Sequence, residues 1–252
     1  MRNMQYADLL RPTILKFEGQ PRDNHGRFST AWQQVGGKLG SNSGGLHVYR
    51  GGKYYAKFPK NPDQVHAEVA SDNIHERLGC KTINHKAIEI RGKTGSVTEW
   101  KDDIKPLRRE GWLHLDDRQK KQAANAFIAS ALTKNWDLVG LAYDNMCKDK
   151  NGDIRIVDTG GSFSFRAQGE HKDFDGDANK EIDNFLNPEK TSGKVFRPLA
   201  QANPQLFRDA AKQLRNVTRD DFMKDTAGMK DQQKVVDTLM ERRASIMARF
   251  HV

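Results

Sequence analysis

The stretch that most constrains this chain is Asn145-Met-Cys-Lys-Asp-Lys-Asn-Gly-Asp-Ile-Arg-Ile-Val-Asp158-Thr-Gly-Gly161. It reads as a strand, a tight turn around Asn151 and Gly152, and a second strand, Ile154 to Val157, that delivers Asp158 to its end. Two glycines then release the backbone, so a carboxylate is held at the mouth of a sheet. Asn145 stands on the other arm of the same hairpin. An amide oxygen and a carboxylate can therefore converge on one point, a donor pair suited to magnesium bound to nucleotide phosphates.

Upstream, the chain is rich in glycine from Gly36 to Gly45, with Ser41, Asn42 and Ser43 as short polar donors. Glycines let backbone amides approach phosphate oxygens closely. The stretch lacks the Gly-Lys-Ser/Thr ending of a phosphate-binding P-loop, which argues against that fold. It leads into a hairpin, Leu46 to Tyr49 and then Lys53 to Phe58, whose alternation puts Tyr55 and Lys57 on one face. Pro62 and Asp63 open a helix expected to Leu78, with Val65, Val69, Ile74 and Leu78 at helical spacing and Glu68 on its surface. A strand lysine followed by a helix glutamate can form an ion pair that turns the lysine toward phosphates. Either residue alone reads as a solvated surface charge. Together, after the glycine stretch and before Asp158, they do not.

Strands follow around Lys86 to Ile90 and Gly95 to Trp100, then a polar connection, Lys101-Asp-Asp103, placed as a hinge with Trp100 either walling a pocket or packing. The spacing of Ala123, Ala124, Phe127, Ile128, Ala131 and Leu132 predicts a helix over 116–134. Past it lie two acids, Asp137 in a loop and Asp144 directly before Asn145, either of which can accept a hydroxyl proton. From Ser162 to Pro188 the chain is polar and acid-rich and reads as a substrate-facing loop. Asp173, Asp175 and Asp177 suggest a calcium loop, but the twelfth position is Asn184 rather than glutamate, which excludes it. The remainder reads as helices, with Thr218 and Asp221 forming a capping pair and the last helix running from Gln233 to Phe250.

Length and charge bound the rest. At 252 residues the chain is long enough for one large domain or two lobes sharing a cleft. Lys and Arg outnumber Asp and Glu by 42 to 33, which favours anionic partners, yet no basic run with interleaved aromatics points to dedicated nucleic-acid binding. Only Cys80 and Cys147 are present, without metal-ligand spacing, as expected in a reducing cytoplasm. No segment has the apolar length to span a bilayer, so no membrane partner is expected. Residues 1–34 read as an N-terminal extension, with Tyr6, Leu9 and Leu10 on one face of a short helix before Pro12 and an exposed polar segment over 21–28.

The ordered set of Gly40-Ser-Asn-Ser-Gly-Gly45, Lys57, Glu68, Asp137, Asn145 and Asp158-Thr-Gly resembles the protein-kinase-like superfamily, nearer its HipA-like and phosphoinositide-kinase-like branches. The resemblance covers about Val35 to Arg166. A looser one links segment 22–28 and the closing helix to kinase-like proteins carried by bacteriophages. The resemblance implies an α+β, two-lobed fold, with a β-rich lobe over 35–100 and a mainly helical lobe over 101–252. It implies ATP and magnesium in the cleft: Gly40, Ser41, Asn42, Ser43, Gly44, Gly45 and Lys57 at the nucleotide, Glu68 holding Lys57, Asn145 and Asp158 on the metal, and Asp137 as base. Asn135-Trp-Asp137 stands where His-Arg-Asp is usual, Asp158-Thr-Gly where Asp-Phe-Gly is common, and the eight residues from Asp137 to Asn145 exceed the usual interval, so Asp144 remains a rival base. The expected activity is phosphate transfer to a protein Ser or Thr. Nucleotidyl transfer on the same fold, and a non-catalytic nucleotide-binding or phage structural module, stay open beside it.

Overall fold

The computed structural model of the chain describes residues 32–39, 42–49, 51–90, 92–166 and 168–252. The segment around Tyr6, Leu9 and Leu10, the polar segment 21–28, and Gly40 and Ser41 lie outside the described residues. Elements follow in the order β1 (Gln33–Gln34), β2 (Ser43–Tyr49), β3 (Gly52–Phe58), α1 (Asp63–Arg77), β4 (Lys81–Thr82), β5 (Lys86–Ile90) and β6 (Lys93–Glu99). A connection through β7 (Lys105–Pro106) and α2 (Arg108–Trp112) leads to α3 (Asp117–Thr133) and to the hairpin of β8 (Met146–Lys148) and β9 (Ile154–Ile156). The chain closes with α4 (Asn179–Leu186), α5 (Thr191–Ala202), α6 (Pro204–Lys212), a 3-10 turn at Gln213–Asn216, α7 (Arg219–Asp225) and α8 (Gln232–Arg249). The architecture is α+β, as expected: an antiparallel sheet region first, a helical region after it.

The first sheet has the order β1-β2-β3-β6-β5, antiparallel throughout. Its two faces do different work because side chains alternate along a strand. Ala56, Val97 and Ile88 form a small apolar cluster with Trp32, Tyr54 and Phe58 on one face. Lys57 and its register partner Ser96 point to the other, where α1 packs. The glycine-rich stretch is shorter as a loop than the sequence suggested, because Ser43, Gly44 and Gly45 already pair with Phe58, Lys57 and Ala56. A Cβ on Gly44 would stand 2.0 Å from the Ala56 carbonyl oxygen, so only glycine permits this pairing.

The second sheet, of order β4-β9-β8-β7, is built on the hairpin that dominates the sequence. Its turn is set by Asp149, whose Oδ1 accepts the amides of Asn151 and Asp153 at 3.0 Å each. The short flanking strands β4 and β7 carry no periodicity of their own and were not expected.

Helix α3 is the axis of the larger core. It starts on a capping box between Asp116 and Gln119 and ends at Lys134, which is left-handed at φ 56°. All six apolar positions expected on one face are fully buried, but so are Ala126, Ala129, Ser130 and Thr133 on the others. Alanine-rich sides let α1, α6 and α8 approach from several directions. Phe127 anchors the packing, edge-on to Phe185, Phe196 and Phe207 at 5.4, 5.2 and 5.1 Å. Helix α7 begins with the expected Thr218–Asp221 capping box. Cys80 and Cys147 are free and buried, and burial pushes both thiols up. Among the described residues no helix is long and apolar enough to cross a membrane.

One correction concerns the acid-rich segment read as a loop up to Pro188, because it contains α4. Ile182 and Phe185 are buried there, and Glu181, 1% exposed, pairs with Arg242 of α8 at 2.6 Å. Arg242, itself fully buried, also donates to the carbonyls of Ala131 and Leu132 at the end of α3 and of Asp175 and Asp177 before α4. The charge that made the segment look exposed is internal. Arg242→Met would leave the buried Glu181 carboxylate with only Trp136 Nε1 at 3.2 Å and Lys134 Nζ at 3.7 Å, both on Oε1. Chemical denaturation should show a loss of about 3–5 kcal/mol, and an unchanged midpoint would show that the pair contributes nothing.

Candidate active site

Strand β3 brings Lys57 to Glu68 of α1, and the two form a buried ion pair. Ser96 on β6 donates to Glu68 Oε2 at 2.6 Å, and His85 Nε2 lies 3.4 Å from Oε1. Asp158 Oδ1 stands 3.9 Å from the same Lys57 Nζ. Burial works against the Lys57 charge, but Glu68 and then Asp158 outweigh it and hold the amine well above its ordinary value. A fixed ammonium therefore lies between two carboxylates from different parts of the chain.

The hairpin stays paired up to the site, because the Val157 amide donates to the Asn145 carbonyl at 3.0 Å. Asp158 Oδ1 accepts the Gly160 amide at 2.9 Å; its other oxygen takes no hydrogen bond among the described residues, and the side chain is 43% exposed. Gln64, one turn before Glu68 on α1, donates to the Gly160 carbonyl at 2.9 Å. Asn42, Pro59 and Gln64 close around the Lys57, Glu68 and Asp158 side chains.

After the left-handed Lys134, Asn135 Oδ1 accepts the Asp137 amide at 3.2 Å and its Nδ2 reaches the Asp158 carbonyl at 3.4 Å. Asn145 Nδ2 donates to the Asp137 carbonyl at 2.6 Å. The loop that carries Asp137 and the hairpin that carries Asp158 are thus tied together at both asparagines. Burial pushes the half-buried Asp137 carboxyl up to about 6, with the Asp158 charge adding to the effect and an Asn145 hydrogen bond opposing it. Asp144 packs against Gly140, where a Cβ would meet its Oδ1 at 2.4 Å, and it raises Asp137 less than Asp158 does. Of the two candidate acids, Asp137 is the one whose carboxyl is shifted by the Asp158 charge.

Lys172, which the sequence did not single out, clamps these loops from behind. Its Nζ donates to the Lys134 and Gly161 carbonyls at 2.5 Å each and lies 4.5 Å above the Trp136 ring. Burial and then the neighbouring Lys134 charge push its amine down to about 7. Gln64, His85 and Ser96 were also missed. Gln64 left a faint signal in its four-residue spacing from Glu68, but a polar residue on a helix ordinarily means solvent.

Of the glycine-rich stretch, Leu39 donates its amide to the Tyr55 hydroxyl at 2.8 Å, which folds the loop back over β3. Tyr55 lies on the Lys57 face with its ring centroid 6.5 Å from that of Trp100. Trp100 is held at the end of the sheet by its amide to the Lys53 carbonyl and by Nε1 to Asp102 at 2.7 Å. No group of three His, Cys, Asp or Glu side chains among the described residues can cage a metal ion. The open oxygen of Asp158 suits an ion that keeps water and phosphate oxygens as its remaining ligands, as magnesium does with nucleotides, while Asn145 spends its Nδ2 on the Asp137 carbonyl.

No protein-family model matches the chain, and no curated protein matches it. Among solved structures it is similar to the proinflammatory kinase CtkA of Helicobacter pylori, with a TM-score of 0.60 and 16% identity over 89% of this chain and 96% of that one. HipA of Shewanella oneidensis MR-1, in its complex with HipB and operator DNA, gives a TM-score of 0.49 and 10% identity over 92% of this chain and 66% of that one. On the CtkA match alone, the fold is protein-kinase-like.

The electrostatic coupling is directly measurable. The Asp137 side-chain carbon, followed by NMR against pH, should titrate near 6 and move toward the ordinary carboxylate range in Asp158→Asn, because a neighbouring negative charge is removed. A midpoint unmoved by that substitution would place the two groups out of electrostatic reach.

Proposed function

We propose that the chain is an ATP- and magnesium-dependent phosphotransferase whose acceptor is a serine or threonine hydroxyl of a protein. The observation that carries this reading is the Lys57 ammonium, paired with Glu68 and 3.9 Å from Asp158 Oδ1, with Asp137 and Asn145 cross-tied to the same hairpin. A cation held between two carboxylates is of little use to a fold as a solvated charge, but it suits a polyphosphate. We place the nucleotide cleft between residues 35–100 and 101–252, with residues 1–34 as an extension.

In this reading Asp158 and Asn145 hold the metal, which when bound neutralises charge on the transferring phosphate. Glu68 keeps Lys57 aimed at the phosphates instead of solvent, and Ser96 keeps Glu68 from rotating away. The glycine-rich stretch from Gly40 to Gly45 covers the phosphates with backbone amides. Asp137 takes the proton of the attacking hydroxyl. A carboxyl raised to about 6 is a stronger base than an ordinary aspartate yet is ionised near neutral pH. Two buried free thiols fit a reducing compartment that supplies ATP.

Incubation with gamma-labelled ATP and magnesium should leave label on the chain or on a protein substrate. Lys57→Ala and Asp158→Ala should each lower it roughly 100-fold or more. Label transfer that survives both changes would overturn the reading, and label left on the product by alpha-labelled ATP in a parallel incubation would mean nucleotidyl transfer. The transfer rate should also fall about tenfold per pH unit below 6, since protonated Asp137 cannot act as a base. A profile flat from pH 5 to 8 would assign the base elsewhere.

A further inference from the structure

Helix α1 buries a polar face. Gln64, Glu68, Ser71, Asp72 and His75 recur at helical spacing, and all are nearly inaccessible. A solvated helix would keep these residues outside; here Gln64, Ser71 and Asp72 meet the segment that follows Asp158, Glu68 meets Lys57 and His75 meets Ser130. Ser71 Oγ and Ser162 Oγ lie 2.8 Å apart. At the centre of this face is Asp72, 2% exposed and too deep to touch a substrate. Its Oδ1 accepts the Thr159 hydroxyl at 2.7 Å. Its Oδ2 accepts the His85 amide at 2.8 Å and faces His85 Nδ1 at 2.9 Å.

Each side of this carboxylate leads to one half of the proposed site. Thr159 is the residue next to Asp158, and its hydroxyl also lies 3.3 Å from the Glu68 carbonyl. Past Asp72, His85 Nε2 makes no hydrogen bond but lies 3.4 Å from Glu68 Oε1, the oxygen that holds Lys57, close enough for its charge to act on that pair. A buried carboxylate is expensive unless it is saturated with donors, and here the donors come from those two groups. Burial alone would raise the Asp72 carboxyl, but the His85 charge and hydrogen bonds pull it below its ordinary value. Burial alone would lower His85, but Glu68 and then Asp72 raise it.

We propose that Asp72, with Thr159 and His85, is a positioning centre that holds Asp158 and the Lys57–Glu68 pair in a single register, so that metal binding at Asp158 depends on α1. This rests on the phosphotransferase reading for the roles of Asp158 and Lys57, but the coupling itself does not. Neither Asp72 nor the Thr159 hydroxyl touches the Asp158 carboxylate, so the effect runs through the backbone of the adjoining residue; groups that orient a metal ligand commonly change metal affinity 10- to 100-fold without touching the ion.

The test uses the full chain with Thr159→Val, which keeps the shape and removes the hydroxyl, and Thr159→Ser, which restores it. Manganese binding in the presence of a non-hydrolysable ATP analogue is followed by electron paramagnetic resonance. Thr159→Val should weaken it roughly 10- to 100-fold, Thr159→Ser should bind like wild type, and analogue binding without metal should be unchanged in both. Metal binding equal to wild type in Thr159→Val overturns the proposal while leaving the phosphotransferase reading intact. Should Thr159→Val not fold, Thr159→Ala against Thr159→Ser makes the same comparison. If the wild type binds no metal with the analogue, the phosphotransferase reading fails, and the ligand-free protein still decides the coupling. Unfolding of Asp72→Asn, Thr159→Val and the double variant should then be non-additive, and additive losses would overturn it.

Discussion

The Lys57–Glu68 ion pair is the interaction on which the arrangement depends, because it can exist only if three separate pieces are in place. The lysine must leave β3 on the face toward α1, the helix must sit within reach, and both charges must be out of water without being isolated. Ser96 and His85 meet the third condition for Glu68, and Asp158 meets it for Lys57. Removing any one leaves a buried charge with fewer partners than it needs. A site assembled under such constraints is stiff, as the proposed phosphoryl transfer requires.

Helix α1 transmits this stiffness. At one end Gln64 ties it to the Gly160 carbonyl; at the other Arg77 makes a two-pronged contact with Asp225 of α7 at 2.5 and 2.8 Å. Between them His75 reaches Ser130 of α3 at 3.0 Å. The helix that completes the first sheet is thereby fastened to the helical region by polar contacts along its length. Beside Ala67, Ala70 and Ile74, which enter the apolar core, part of its buried surface is polar because it meets the backbone and hydroxyls of residues 159–166, which need donors and acceptors. Lys172 and Arg242 follow the same logic on the far side, satisfying carbonyls at the end of α3 with cations that have no solvent.

Several elements were readable from residue pattern. The Asn151–Gly152 turn flanked by alternating residues announced the hairpin, the Ala and Phe spacing announced α3, and Thr218 with Asp221 announced the start of α7. Lys57, Glu68, Asp137, Asn145 and Asp158 were singled out as candidates because their residue types and order suit phosphate chemistry. Other features were not readable. The two-residue strands β4 and β7 exist only through pairing with the hairpin. Helix α4 was hidden because the charge on Glu181 looks external until Arg242, some sixty positions away, arrives to bury it.

What local sequence settles in this protein is whatever near neighbours enforce: turn geometry, capping, and the alternation that puts Tyr55 and Lys57 on one side of a strand. What needs the folded chain is every assignment of polar residues to inside or outside. Gln64, Asp72, His85 and Lys172 have the composition of a surface, and nothing within a few positions says otherwise. They are buried because partners distant in the chain supply the hydrogen bonds and opposite charges that water would have supplied. The hairpin that delivers Asp158 follows from its own residues, whereas the register of Asp158 with Lys57 and Asp137 depends on tertiary contacts that no local pattern encodes.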